Sequence, residues 1–284
     1  MSRTPYTWST IEVDDLKALW ARGIKPGRIA KLMGKSRAAI IGKSRVENLH
    51  FSAKNAHRKQ PLQPSNPAMV DARTIFRKRV SDPKFGVSVL KPGIDTRKLG
   101  REVQKGRWRG FPIYTLTLEE RATCPRSCAV FDRCYGNQMW MARRWTAGPA
   151  LEDTLEYELA VLQARHPRGF VVRLHILGDF YSVDYVERWR AWLTRFPALN
   201  VFGYSAWPVS TLIGQAVASL RDAQWERFAV RTSGASEGPR TIVIANEAGA
   251  GAAIICPAQT GRSANCSTCA LCWHSTRAIA FLEH

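Results

Sequence analysis

Apolar residues recur at helical spacing in three short stretches between residues 8 and 49, and from Gly110 onward strand-like and helix-like periods alternate. In the first stretch Ile11, Leu16, Leu19 and Trp20 share a face behind a Ser9 cap, and the period stops before Gly23. The second opens at Pro26, a residue suited to the first helical position, and closes at Gly34. The third starts after Ser36 and turns Ile40, Ile41 and Val46 inward, leaving Arg37, Lys43 and Arg45 outside. Two short helices joined by a glycine turn, the later one basic, fit a helix-turn-helix that lays its last helix in the major groove. A three-helix packing module with a solvated basic face gives the same pattern.

From Phe51 to about Arg109 the chain is polar and basic, is broken by Pro61, Pro64, Pro67, Pro83 and Pro92, and reads as a linker or arm. Beyond it the pattern predicts a strand at 111–116, a cysteine loop, a helix at 150–165 (Leu151, Leu155, Leu159, Leu162), a strand at 170–176 and a helix at 183–195 (Val186, Trp189, Leu193). A strand at 199–204, a helix at 210–221 and strands at 227–232 and 241–245 follow. The expected fold class is α/β: a small three-helix domain over 6–50, a basic linker over 51–109, and a domain over 110–284 built as a partial (β/α) barrel or mostly parallel sheet with a cysteine-rich C-terminal metal site. In such architectures ligands sit at the C-terminal ends of the strands.

Charge sharpens this division. The chain of 284 residues carries 42 Lys or Arg against 23 Asp or Glu, and residues 1–110 hold 25 of the basic residues against 8 acidic ones. A segregated cationic region points to a polyanion, DNA first. No apolar run near 18 residues and no signal-peptide pattern is present, so the reading is no membrane and a cytoplasmic location.

The seven cysteines form two groups, Cys124, Cys128 and Cys134, then Cys256, Cys266, Cys269 and Cys272. In a reducing compartment such crowding reads as metal ligation rather than disulfides. Four thiolates at the second group suit structural zinc or a four-iron cluster, and the repeated two-residue spacing leans towards iron-sulfur. Three thiolates at the first group leave one iron of a cubane open to a small-molecule cosubstrate. His175, on a predicted strand, reads as a core histidine or a group reaching the site, and Arg173, Arg231 and Arg240 as anion grips or surface cations.

Two resemblances extend these readings. Trp8, Leu16, Leu19, Trp20, Gly23, Ile29, Ala30, Ser36, Arg37, Ala39, Ile40, Ile41, Gly42, Lys43 and Leu49 make residues 6–50 similar to the DNA-binding domain of the GcrA cell-cycle regulators. The resemblance implies that Arg37, Lys43 and Arg45 face DNA and that Trp8 and Trp20 are core; the C-terminal segment through which that family reaches the housekeeping sigma factor is not found here. The three-cysteine loop after the first strand resembles that of the radical S-adenosylmethionine enzymes, although Cys134 follows Cys128 after five residues rather than two, and Tyr135 follows Cys134 instead of an aromatic preceding it. It implies a 4Fe-4S cluster on Cys124, Cys128 and Cys134 that binds S-adenosylmethionine, with Gly178 and Asp179 standing where that family's Gly-Gly-Glu-type segment holds the methionyl amine, and Asp179, as the counterpart of its acidic residue, the catalytic position that orients the cosubstrate. It also implies an auxiliary cluster at the second group. The same region resembles uncharacterised phage-encoded proteins with this cysteine arrangement. The expected function is a DNA-binding iron-sulfur protein acting as a radical enzyme on nucleic acid or a DNA-bound partner. The alternatives are a non-enzymatic transcription regulator with structural zinc and a redox sensor.

Overall fold

The computed structural model describes residues 8–21, 24–47, 49, 61–84, 86–96 and 98–283, and the chain divides into two units, Met1–Pro61 and Leu62–His284. Gly23, residues 6, 7, 48 and 50 of the expected small domain, and 51–60 of the expected linker lie outside the described residues.

In the first unit α1 spans Thr10–Ala21, α2 Pro26–Leu32 and α3 Arg37–Val46. Ser9 Oγ accepts from Glu12 N at 3.2 Å while Glu12 reaches back to Ser9 N at 2.9 Å, a reciprocal cap that starts α1. Ser36 does the same work for α3 by accepting from Ala39 N at 3.1 Å. Leu16, Ile29, Ala30 and Ile40 form the core, with Trp8, Leu19 and Trp20 packed round it. Two expected core residues are outside: Ile11 is 75% and Val46 72% exposed. Ile11 lies in the first turn of α1 and Val46 is the last residue of α3.

The second unit is a mixed helix and sheet structure on a mostly parallel sheet. Its strands are β1 Val80–Ser81, β2 Lys91–Pro92, β3 Ile113–Thr115, β4 Arg144–Trp145, β5 Phe170–Leu174, β6 Leu199–Ser205, β7 Phe228–Ser233, β8 Arg240–Ile244, β9 Ile254–Ile255 and β10 Ile279–Leu282. The large sheet has the order β2-β3-β5-β6-β7-β8-β10-β9, and every pairing is parallel except β2 with β3. The helices are α4 Pro67–Val70, α5 Pro149–Arg165, α6 Val183–Arg195, α7 Leu212–Gln224, α8 Cys266–Cys269 and α9 Leu271–His274. On one face Leu151, Leu155, Val186, Trp189 and Val217 of α5 to α7 pack on Phe170, Val172, Leu174, Val201 and Val230. On the other, Trp108 stacks on Trp273 at 5.7 Å over Ile113, Val171, Phe202 and Ala229. A sheet covered on both faces explains why β5 is buried at all five positions.

Residues 62–109 correct the linker reading. Val89 and Leu90 enter the helix-side core, Leu99, Val103 and Trp108 the other, and β2 adds to the sheet edge. Proline breaks this segment into pieces too short to show a period, yet each piece buries apolar side chains. With it the basic surplus spreads: Met1–Pro61 has 13 Lys or Arg against 4 Asp or Glu, and residues 62–109 contribute 12 against 4 to the larger unit. Among the described residues no helix is long and apolar enough to cross a membrane.

Candidate metal centre

The chain leaves β3, pairs once more through Leu118 N to Leu177 O at 3.0 Å, and enters the loop of Cys124, Cys128 and Cys134. Buried charge shapes this loop. The Arg144 guanidinium meets Glu120 at 2.7 and 3.1 Å and donates to the carbonyls of Gly136, Met139 and Ala142. Glu120 also accepts from Thr74 Oγ1 at 2.6 Å, and Glu119 from Arg73 Nε at 2.7 Å, so residues 73 and 74 brace the loop from outside. Arg121, held at φ 65°, donates to Phe131 O and Asn137 Oδ1.

The loop abuts the end of β5. Gly178 has φ 82°, and a Cβ there would stand 2.6 Å from Leu118 Cβ and Thr123 Oγ1, so only glycine allows the approach. Asp179 N donates to Thr123 Oγ1 at 3.0 Å. The Asp179 carboxylate accepts from Phe180 N at 2.8 Å and Ala206 N at 2.6 Å, which ties the loop after β5 to the loop after β6. Burial pushes this carboxyl up to about 7 against the lowering effect of those bonds. Burial likewise raises the three thiols; next comes Asp179, which raises Cys124 and adds to Cys128, and Cys124 further feels Cys134 and Cys128. Cys134 is pushed up to about 11, and its Sγ accepts from Gly136 N at 3.4 Å.

The second group is assembled by a different device. Asn265 and Thr268 form a reciprocal cap on α8, and Ala270, at φ 61°, turns the chain into α9. Lys98 O accepts from Cys266 N at 2.7 Å and Leu99 O from Ser267 N at 3.0 Å, so residues 98 and 99 strap the segment down. Arg231, fully buried on β7, donates to the carbonyls of Cys272, Arg277, Arg240, Leu271 and Ser275. It is therefore an internal staple of this segment, and neither an anion grip nor a surface cation. Tyr204 Oη donates to Cys272 Sγ at 2.9 Å. Burial pushes Cys266 up to about 12, with Cys272, Cys256 and Cys269 near enough to add to it.

All seven cysteines are free thiols, and among the described residues no group of three or more His, Cys, Asp or Glu side chains is arranged to hold a metal ion. The donor chemistry nonetheless suits a sulfur-rich centre. Arg121 Nη1 is buried without a partner, and the Arg121 charge acts on both Cys128 and Cys134. A buried N–H donor beside three thiols lacks only an acceptor, which a thiolate or cluster sulfide supplies.

His175 is separate from both groups: it packs on Phe180 and reaches Tyr185 Oη at 3.3 Å. Burial, then Arg173, pushes it down to about 3 from 6.5. The unfolded chain therefore binds an extra proton between about pH 3 and 6.5. The stability from keeping His175 neutral is full above pH 6.5 and is lost as pH falls towards 3, by up to about 1.4 kcal/mol per pH unit. Urea midpoints followed from pH 7 to 4.5 should fall less steeply in His175→Phe than in the native chain; equal slopes contradict this.

On α3, Arg37 and Arg45 are exposed and their side chains have no partner among the described residues, whereas Lys43 pairs with Glu47 at 2.7 Å, which also takes Lys17 at 3.0 Å. Comparison with protein-family models, curated proteins and solved structures gives no match to this chain.

Proposed function

We propose that the chain is a DNA-associated iron-sulfur protein whose larger unit is a radical S-adenosylmethionine type of enzyme. The observation that carries the reading is that the three-cysteine loop follows the first parallel strand and packs directly on Gly178 and Asp179 at the end of the next. Sheet curvature supports it: the rings of Tyr204 on β6 and Phe281 on β10 meet at 5.6 Å although their strands are three places apart, about 14 Å in a flat sheet. That bend is what a partial (β/α) barrel requires.

Cys124, Cys128 and Cys134 would hold the reactive cluster, and Cys256, Cys266, Cys269 and Cys272 the second. Bound there, the first cluster would supply an iron free of protein ligands and a one-electron donor. Gly178 lets the cysteine loop close on the end of β5, with Leu118 and Thr123 in the space a Cβ would take, Asp179 fixes two strand-end loops beside it, and Arg144 keeps the cysteine loop in shape. Anaerobic protein given a reductant and S-adenosylmethionine should release deoxyadenosine and methionine. Neither product from cluster-loaded protein rejects the enzyme reading and leaves a metal-stabilised regulator.

The first unit supplies the DNA contact in this reading, with α3 as the recognition helix of a helix-turn-helix. Its exposed residues are Arg37, Ala38, Gly42, Arg45 and Val46, so small positions lie between two arginines and let the helix seat deeply in a groove. Arg37→Ala and Arg45→Ala should each weaken DNA binding roughly tenfold and flatten its salt slope by about one. Lys43→Ala, whose charge Glu47 already holds, should cost less. Fluorescence anisotropy at low salt checks this, and unchanged affinity in both arginine variants sinks the recognition-helix assignment.

A further inference from the structure

Arg173 sits inside the all-buried strand β5 and is only 9% exposed. Three other buried arginines have spent their donors: Arg144 on Glu120 and three carbonyls, Arg231 on five carbonyls, Arg221 on Asp222 and Thr232; Arg121 keeps only Nη1 unpaired, at the first cysteine group, after bonding Phe131 O and Asn137 Oδ1. Arg173 has a single long bond, from Nη1 to His175 O at 3.3 Å, and no carboxylate partner among the described residues. A guanidinium has five N–H donors, and a buried charge left unpaired is costly. Its Nε and Nη2 have no hydrogen-bond partner among the described residues.

The position is as telling as the missing partner. Arg173 is in register with Thr115 on β3, the strand that leads into the first cysteine loop, and with Phe202 on β6. Its guanidinium lies 4.5 Å from the Tyr204 ring and 5.5 Å from Phe202, and Tyr204 bonds Cys272 of the second group. Its charge acts on Cys266 and on Tyr135, the neighbour of Cys134. Arg173 therefore stands between the two cysteine groups. The two rings flank the guanidinium, and its unpaired N–H groups suit a two-oxygen acceptor.

We propose that Arg173 is a substrate-binding residue that grips an oxyanion, a carboxylate or phosphate, of the molecule acted on between the two cysteine groups. The assignment deepens the enzyme reading by naming a chemical group of its substrate, and it rests on that reading for the word substrate. Calorimetric titration of the full chain at low salt with a 5'-mononucleotide and with glutarate tests it. At least one probe should bind one to one, and Arg173→Gln should weaken it about tenfold or more, the size of a charge-assisted bond. Arg173→Lys, which keeps the buried charge but loses the fork, should fall between, and it decides the matter should the glutamine variant fail to fold. Arg190→Gln, half-buried on α6 and paired with Glu187, should bind as the native chain does. Nucleotide alone assigns a phosphate, glutarate alone a carboxylate, both a general oxyanion site. Binding of neither probe, or affinity unchanged in both Arg173 variants, overturns the proposal. Iron and sulfide measured on the same samples report the cluster reading separately, so a failure of either is told from a failure of the other.

Discussion

Cys128→Ala should reduce deoxyadenosine formation to background and lower bound iron and sulfide by about half while leaving the fold intact. The substitution takes away a sulfur and little else. The turn at Cys128 is backbone work, with its N–H on Pro125 O at 3.1 Å and its C=O accepting from Phe131 N at 2.9 Å. The braces of the loop, Glu120 with Arg144 and Arg121 with Asn137, do not use the Cys128 side chain. Melting temperature should therefore stay within about 2 °C of the native value for the metal-free proteins, since a half-buried thiol contributes under about 1 kcal/mol on a unit of this size. Product chromatography after anaerobic incubation, with iron and sulfide assays beside it, checks all three. Full activity in the variant removes Cys128 from the ligand set.

The largest effect on stability should come from Arg144→Met. Arg144 is 0% and Glu120 1% exposed, and removal of one partner strands the other charge in the interior. The expected cost is about 3–5 kcal/mol, or roughly 10 °C in melting temperature for a domain of this length. The carbonyls of Gly136, Met139 and Ala142 lose their donor in the same step, so iron retention should fall with stability. Because the penalty is an uncompensated charge, adding Glu120→Gln should recover part of it, and the two changes should not add. Thermal unfolding of the single and double variants measures this. A double variant as unstable as the sum of the singles contradicts the pairing account.

Much of the sheet and its helices was legible in the sequence because each carried its own local signal. Helix α6 begins behind Ser182, whose Oγ accepts from Tyr185 N, and buries Tyr185, Val186, Trp189, Trp192 and Leu193 on one stripe, as the spacing predicts. Strands β5 to β8 follow the expected apolar runs to within a residue or two. Residues 62–109 were misread because their burial comes from isolated side chains, Val89, Leu99 and Trp108 among them, set in proline-broken backbone. The short strand β10 was overlooked; four residues between β8 and β9 are too few to show a period.

At the candidate site the cysteines and the glycine before Asp179 could be read directly, since thiol spacing and a strand-end glycine are local patterns. The residues that hold them in place could not. Arg144, Glu120 and Arg231 are charged side chains in the interior, which sequence reasoning assigns to the surface by default. Only tertiary contact shows that Arg231 braces Cys272 or that Thr74 and Glu120 join segments far apart in the chain. Lys43 shows the converse: its basic character is plain in the sequence, but its charge is held by Glu47 one turn on.

In the proposed reading the two cysteine groups each hold an iron-sulfur cluster. The most direct measurement is iron, acid-labile sulfide and zinc per chain in protein purified and reconstituted without oxygen. The account predicts brown protein with about eight iron and eight sulfide per chain, two four-iron clusters. Colourless protein that binds only zinc after reconstitution would contradict it.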